Sequence, residues 1–193
     1  MSGARLWALH ICILLMLFGL GFLLPAYHHS NLSRIFVLAV FAAGYNIAFG
    51  YTGLLSLGHA LLFGAGLYAA ALPALHLGWS GLPAFLAGTA AGAAIAFLLG
   101  LLALRTRGVS FMIVTLMFAQ AVYLTILYFT PVTRGDEGFT LSGPARTVLG
   151  LDLADETTRY LAALALLSAA LLGCLALVRS PFGRVMVAMR ENE

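Results

Sequence analysis

Charge is what this sequence has least of. Its 193 residues include ten arginines, seven acidic residues and no lysine, so 9% are charged where a soluble domain carries about 25%. An ordinary water-soluble fold is excluded. A net charge of +3, scattered along the chain, does not make the dense basic surface that nucleic acid requires. Cysteine is nearly absent as well. Cys12 and Cys174 both lie in apolar runs and read as buried thiols, with no disulfide framework and no metal-ligand spacing. The five histidines, His10, His28, His29, His59 and His76, are scattered and form no H-E-x-x-H pattern, so neither a metal nor another cofactor is expected.

Other absences bear on energy and catalysis. No phosphate-binding G-x-x-x-x-G-K-[ST] loop occurs, so the chain does not bind ATP by that device. No Asp, Glu or Lys lies in the interior of an apolar run, which counts against an ion-coupled transporter that keeps a carboxylate in the membrane. Ser56 and His59 stand one helical turn apart, but no orienting third group or oxyanion motif accompanies them. The chain therefore reads as a non-enzymatic translocation subunit that draws its energy from a partner.

What the sequence does contain is hydrophobic length. With 62% hydrophobic residues and a mean hydropathy of +1.02, it divides into apolar runs at 6–24, 32–49, 54–72, 82–104, 110–130 and 159–178. Each run is near the roughly 20 residues that a helix needs to cross the hydrocarbon core. The expected fold is all-α, a polytopic transmembrane bundle of about six spans, with a membrane domain over 1–178 and a polar tail over 179–193. Short turns are expected at 27–31 and 73–81, and a single long loop at 131–158. The first run follows Arg5 like a signal peptide but lacks a clear cleavage site, so it is read as a retained helix. Six arginines fall on one side and four on the other, placing both termini in the cytoplasm and the long loop outside.

Two patterns stand out within the runs. The stretch 45–68 holds Gly50, Gly53, Gly58, Gly64 and Gly66, together with Asn46, Thr52, Ser56 and His59. Glycines admit close backbone approach, and intramembrane polar groups need partners, so this stretch is expected at a packed or moving joint, either spanning or partly re-entrant. Ala84, Gly88, Gly92, Ala96 and Gly100 recur every fourth residue and line one helix face. They suit tight packing within the subunit or a seam between subunits. Asn46, His59, Thr115 and Gln120 are the candidates for lining a pathway, set against the plainer reading of interhelical hydrogen bonds.

The tail RSPFGRVMVAMRENE opens with a good N-cap, Ser180, and a suitable first helical residue, Pro181. Phe182, Val185, Met186 and Met189 then form one apolar stripe, with Arg184, Arg190 and Glu191 on much of the remaining surface. Such a helix fits the headgroup layer and the groove of a cytoplasmic partner equally well.

Three blocks, GYTGLLSLGHALLFGAGLYAAAL, RTRGVSFMIVTLMFAQAVY and SPFGRVMVAMRENE, closely resemble the LivM-type permeases of branched-chain amino acid ABC importers. The resemblance implies a multi-pass subunit of a bacterial inner membrane. Its implied partners are ABC ATPase subunits, a second homologous permease and an external substrate-binding protein. It also implies that Ser180, Pro181, Phe182, Gly183, Arg184, Val185, Met186, Met189, Arg190 and Glu191 begin the ATPase-coupling loop. Gly50, Gly53, Gly58, Gly64, Gly66, Gly88, Gly92 and Gly100 would serve close packing or hinging. Urea and amide importers have similar permeases and supply the alternative substrate class; a small channel or structural membrane protein is the alternative of another class. Two departures are visible. The family continues past the acidic end of the third block, which suggests a fragment, and VTRGDEGFT carries Arg134 where the family usually has glycine.

Overall fold

A computed structural model describes residues 3–141 and 143–191. Met1, Ser2, Ser142, Asn192 and Glu193, which belong to the expected membrane domain, long loop and tail, lie outside the described residues. Among those described, six helices are long and apolar enough to cross a membrane. The chain folds as two compact units, one running to Gly53 and resuming at Asp152, the other Leu54–Leu151.

The first unit is built from α1 (Gly3–Leu23), α2 (Ala26–Asn46), α7 (Glu156–Arg179) and α8 (Pro181–Glu191). Its core is Phe36, Tyr160, Ala163, Leu164 and Leu167, with Leu14, Leu17 and Leu32 packed around it. A polar clasp joins the three long helices. Tyr160 is 1% exposed and its hydroxyl donates to the Leu17 carbonyl at 2.5 Å. The His29 ring lies 4.9 Å from Tyr160, its Nε2 is 3.0 Å from the Gly21 carbonyl oxygen, and its Nδ1 is 3.5 Å from Thr157 Oγ1. A methyl group on Gly21 would come 2.6 Å from the Tyr160 ring, so only glycine admits that ring here. Asp155 caps α7, accepting from the Thr158 amide at 2.7 Å. That backbone hydrogen bond is the main reason its carboxyl is held below its ordinary range.

The second unit contains α3 (His59–His76), α4 (Gly81–Ala103), α5 (Gly108–Tyr128) and the single turn α6 (Thr130–Thr133). Helices α3 and α4 meet along the small-residue stripe. A methyl on Gly88 would lie 2.6 Å from the Gly66 carbonyl oxygen and 2.9 Å from Ala70 Cβ. Helix α3 is followed by Gly78 in the left-handed region at φ 67°, and Trp79 N–H reaches back to the Pro73 carbonyl at 3.4 Å. The segment after α6 is anchored as well. His76 Nε2 lies 3.0 Å from Val132 O, and Gly81 has room for no methyl beside Thr147 and Val148. A short hairpin pairs β1 (Thr147–Val148) with β2 (Leu151–Asp152) through Leu149 and Gly150, both at positive φ.

Several sequence expectations need correction. Residues 27–31 are not a turn; they are the first turns of α2, because Pro25 supplies the break and fits just ahead of a helix. Arg34, within the expected run 32–49, sits in α2. Pro73 does not end the third helix but lies inside it, since only the carbonyl one turn earlier loses its donor. The third run does not begin as a helix: residues 54–58 are unwound. The two thiols are not buried; Cys12 is exposed and Cys174 half-buried, as apolar side chains facing lipid would be.

Candidate functional site

The apolar stretch between α2 and α3 breaks in two steps. Helix α2 widens into a π-turn, Ile47–Tyr51, and the backbone then leaves helix altogether until His59. Gly53 adopts φ 76°, which a side chain strongly disfavours. Such π-turns and broken helices cluster at functional sites in membrane proteins, where freed backbone groups find ligands or packed partners.

In the second unit, the unwound residues are tied to α5. Leu57 N–H donates to Thr115 Oγ1 at 3.2 Å, and Thr115 Oγ1 lies 2.9 Å from the Met112 carbonyl oxygen. Gly58 is buried against the Thr115 carbonyl, with no space there for a Cβ. Thr115 is itself buried, so it positions the unwound segment and lines no open groove. On another face of α5 lies an apolar groove of about 290 Å³, bounded by Leu61 and Gly64 of α3 and by Gln120, Tyr123 and Ile126 of α5. Gln120 lies five residues after Thr115, roughly 140° around the helix, which separates the two roles. Its amide and the Tyr123 hydroxyl are the hydrogen-bonding side-chain groups among the lining residues.

The three pathway candidates of the second unit are thus not brought together. Gln120 lines the groove, Thr115 holds the unwound segment, and His59 opens α3 with intermediate exposure. Asn46 is exposed at the end of α2 in the first unit, its Oδ1 folded over Gly50. Tyr123 and Ile126, which were not among the candidates, line the same groove. The glycines divide too. Gly58, Gly66 and Gly88 are closely packed and Gly92 is in ordinary contact, whereas Gly64 and Gly100 meet nothing within 4 Å.

At the C-terminal tail, the single residue Ser180 separates α7 from α8. Ser180 Oγ lies 3.4 Å from the Gly183 amide as a weak cap. Gly183 sits on the Val178 carbonyl with no room for a side chain. The apolar stripe expected along α8 splits. Met186 is 2% exposed and turned into the unit, while Phe182, Val185 and Met189 are more than half exposed. Arg190 is exposed, as expected, and donates to the Gly50 carbonyl at 2.7 Å.

The family described as branched-chain amino acid transport system / permease component matches residues 29–193. Two similar proteins are the high-affinity branched-chain amino acid transport system permease protein LivM of Salmonella typhimurium strain LT2 and its namesake from Escherichia coli strain K12. Each is 33% identical over 190 residues, covering 85% of this chain and 43% of the relative. The chain therefore spans less than half the length of these relatives. No solved structure matches it. With its six apolar helices it is a multi-pass membrane protein, and it belongs to the branched-chain amino acid transport permease family.

Proposed function

We propose that this protein is a permease subunit of an ABC importer for branched-chain or related amino acids, seated in a bacterial inner membrane. The family match over residues 29–193 carries the reading. Supporting it, the spans hold no interior Asp, Glu or Lys to bind or relay a coupling ion, so the energy comes from a separate ATPase. Both termini are then cytoplasmic, and the arginines at 105 and 107 sit in a short inner turn, as the positive-inside rule requires. Phe182, Val185 and Met189 offer an apolar ridge on α8 that suits a groove of that ATPase. A binding protein delivers substrate to the outer side, and a second permease completes the route. Gln120 and Tyr123 line this subunit's share of the pathway.

The test is uptake by cells in which this protein is co-expressed with its ATPase, second permease and binding protein. ATP-dependent accumulation of labelled leucine, isoleucine or valine is expected. Accumulation of urea or a short amide, with none of the branched-chain amino acids, would move the protein to the related importer class.

A further inference from the structure

The contact between α8 and the π-turn falls at the end of a helix. The final carbonyls of a helix have no intrahelical donor, and the C-terminal end of the helix dipole favours a cation. Here the cation arrives from 140 residues away: Arg190 Nη1 lies 2.7 Å from the Gly50 carbonyl oxygen. The stem of the same arginine covers Gly53, where a methyl group would lie 2.9 Å from Arg190 Cγ. Gly53, at φ 76°, is itself among the first unwound residues after the π-turn. The other end of α8 is equally constrained, by Gly183 on the Val178 carbonyl and by the buried Met186. Helix α8 packs against both α7 and the π-turn. It is a short lever held at both ends, with Phe182, Val185 and Met189 outward.

We propose that Arg190 is a latch that joins α8 to the π-turn, so that a load applied to the outward face of α8 is passed directly to the unwound glycine segment. This rests on the reading of α8 as the ATPase-docking helix. A π-turn is a suitable receiver. Converting it to α-helix re-registers the backbone that follows by one residue, roughly 100° of rotation and 1.5 Å of rise. The Gly50 carbonyl lies within that turn, so a pull on it biases the conversion. Arg190 touches no substrate in this scheme; it is a positioning residue.

The experiment uses the assembled transporter with spin labels at Ala43 on α2 and Ala188 on α8. It compares the native protein with Arg190→Ala, Arg190→Lys and the triple variant Phe182→Ala, Val185→Ala, Met189→Ala. The latch predicts a narrow distance distribution for the native protein, broadened in Arg190→Ala and largely restored in Arg190→Lys. It further predicts that Arg190→Ala still co-purifies with the ATPase while ATP-driven uptake falls at least tenfold. An unchanged distribution in Arg190→Ala overturns the latch, whatever happens to uptake. A broadened distribution with full uptake overturns its coupling role. Loss of ATPase co-purification in Arg190→Ala would make Arg190 a docking contact and also overturn the latch. If instead the triple variant keeps its ATPase, the docking reading fails and the coupling role with it, while the label distances still judge the contact itself.

Discussion

The two units solve one problem by different chemistry. Helices in lipid gain little from hydrophobic burial against each other, so packing and hydrogen bonds must hold them. The first unit uses side chains: Tyr160, His29 and Thr157 knit α1, α2 and α7 around one buried aromatic ring. The second unit uses their absence: Gly66 and Gly88 let α3 and α4 approach until backbone meets backbone. A clasp of side chains fixes its helices by directional bonds, and each bond can be removed singly. A glycine seam has no such parts; it fails by intrusion. The unit with the seam also contains the groove and the Gly58 contact, and the clasped unit holds the amphipathic α8.

The contrast can be broken most sharply at Gly88. Gly88→Leu would drive a side chain into the Gly66 carbonyl and the start of Ala70, a backbone obstacle that cannot swing away. A loss of about 3 kcal/mol is expected, at the upper end for overpacking, measured by unfolding in detergent micelles. Gly100→Leu on the same stripe meets open space and should change stability by less than about 1 kcal/mol. Equal losses at both positions would mean that the seam is not confined to the part of α4 facing α3.

The clasp should yield a smaller effect. Tyr160→Phe removes only the hydroxyl donated to Leu17. Interhelical hydrogen bonds in membranes average about 0.6 kcal/mol, so a loss near that value is expected in the same unfolding assay. A loss as large as that of Gly88→Leu would make the two units energetically alike. Arg134 offers a change of the other sign. It holds φ 58° in the left-handed region that favours glycine, so Arg134→Gly should raise the unfolding free energy slightly, by about 0.5 kcal/mol once the freer unfolded chain is counted.

The smallest effect concerns acid. The Asp155 carboxyl is held below its ordinary value of 3.8 chiefly by the Thr158 backbone hydrogen bond. A carboxylate with a lowered folded value stabilises the protein above its unfolded value, and that contribution disappears as the pH falls through the folded one. Unfolding midpoints of the native protein should therefore decline below about pH 4 more than those of Asp155→Asn. Parallel pH profiles would remove the cap from the list of stabilising features.

Much of this was legible in the sequence, for identifiable reasons. The six runs were visible because lipid demands length and apolarity of every spanning helix. The seam was visible because Ala84, Gly88 and Gly92 repeat at the period of a helix face. The clasp was not, because His29 sat in what composition made a polar turn, and its partner Tyr160 lies more than 120 residues away. The same holds for Arg190: nothing periodic links it to Gly50, and an arginine near a helix end reads as solvated. The glycine-rich stretch announced a joint but not its position, since Ile47–Tyr51 has a composition that an α-helix would also accept. Proline misled at Pro73 because the rule that it ends helices is weaker in membrane spans.

One measurement bears on the account as a whole. Proteoliposomes are loaded with the permease pair, with or without the ATPase subunits, and supplied with binding protein and labelled leucine. The account predicts accumulation only when the ATPase and ATP are both present, because the helices of this chain offer a route with no ion-coupling carboxylate inside it. Sustained accumulation without the ATPase, driven by an ion gradient, would contradict it.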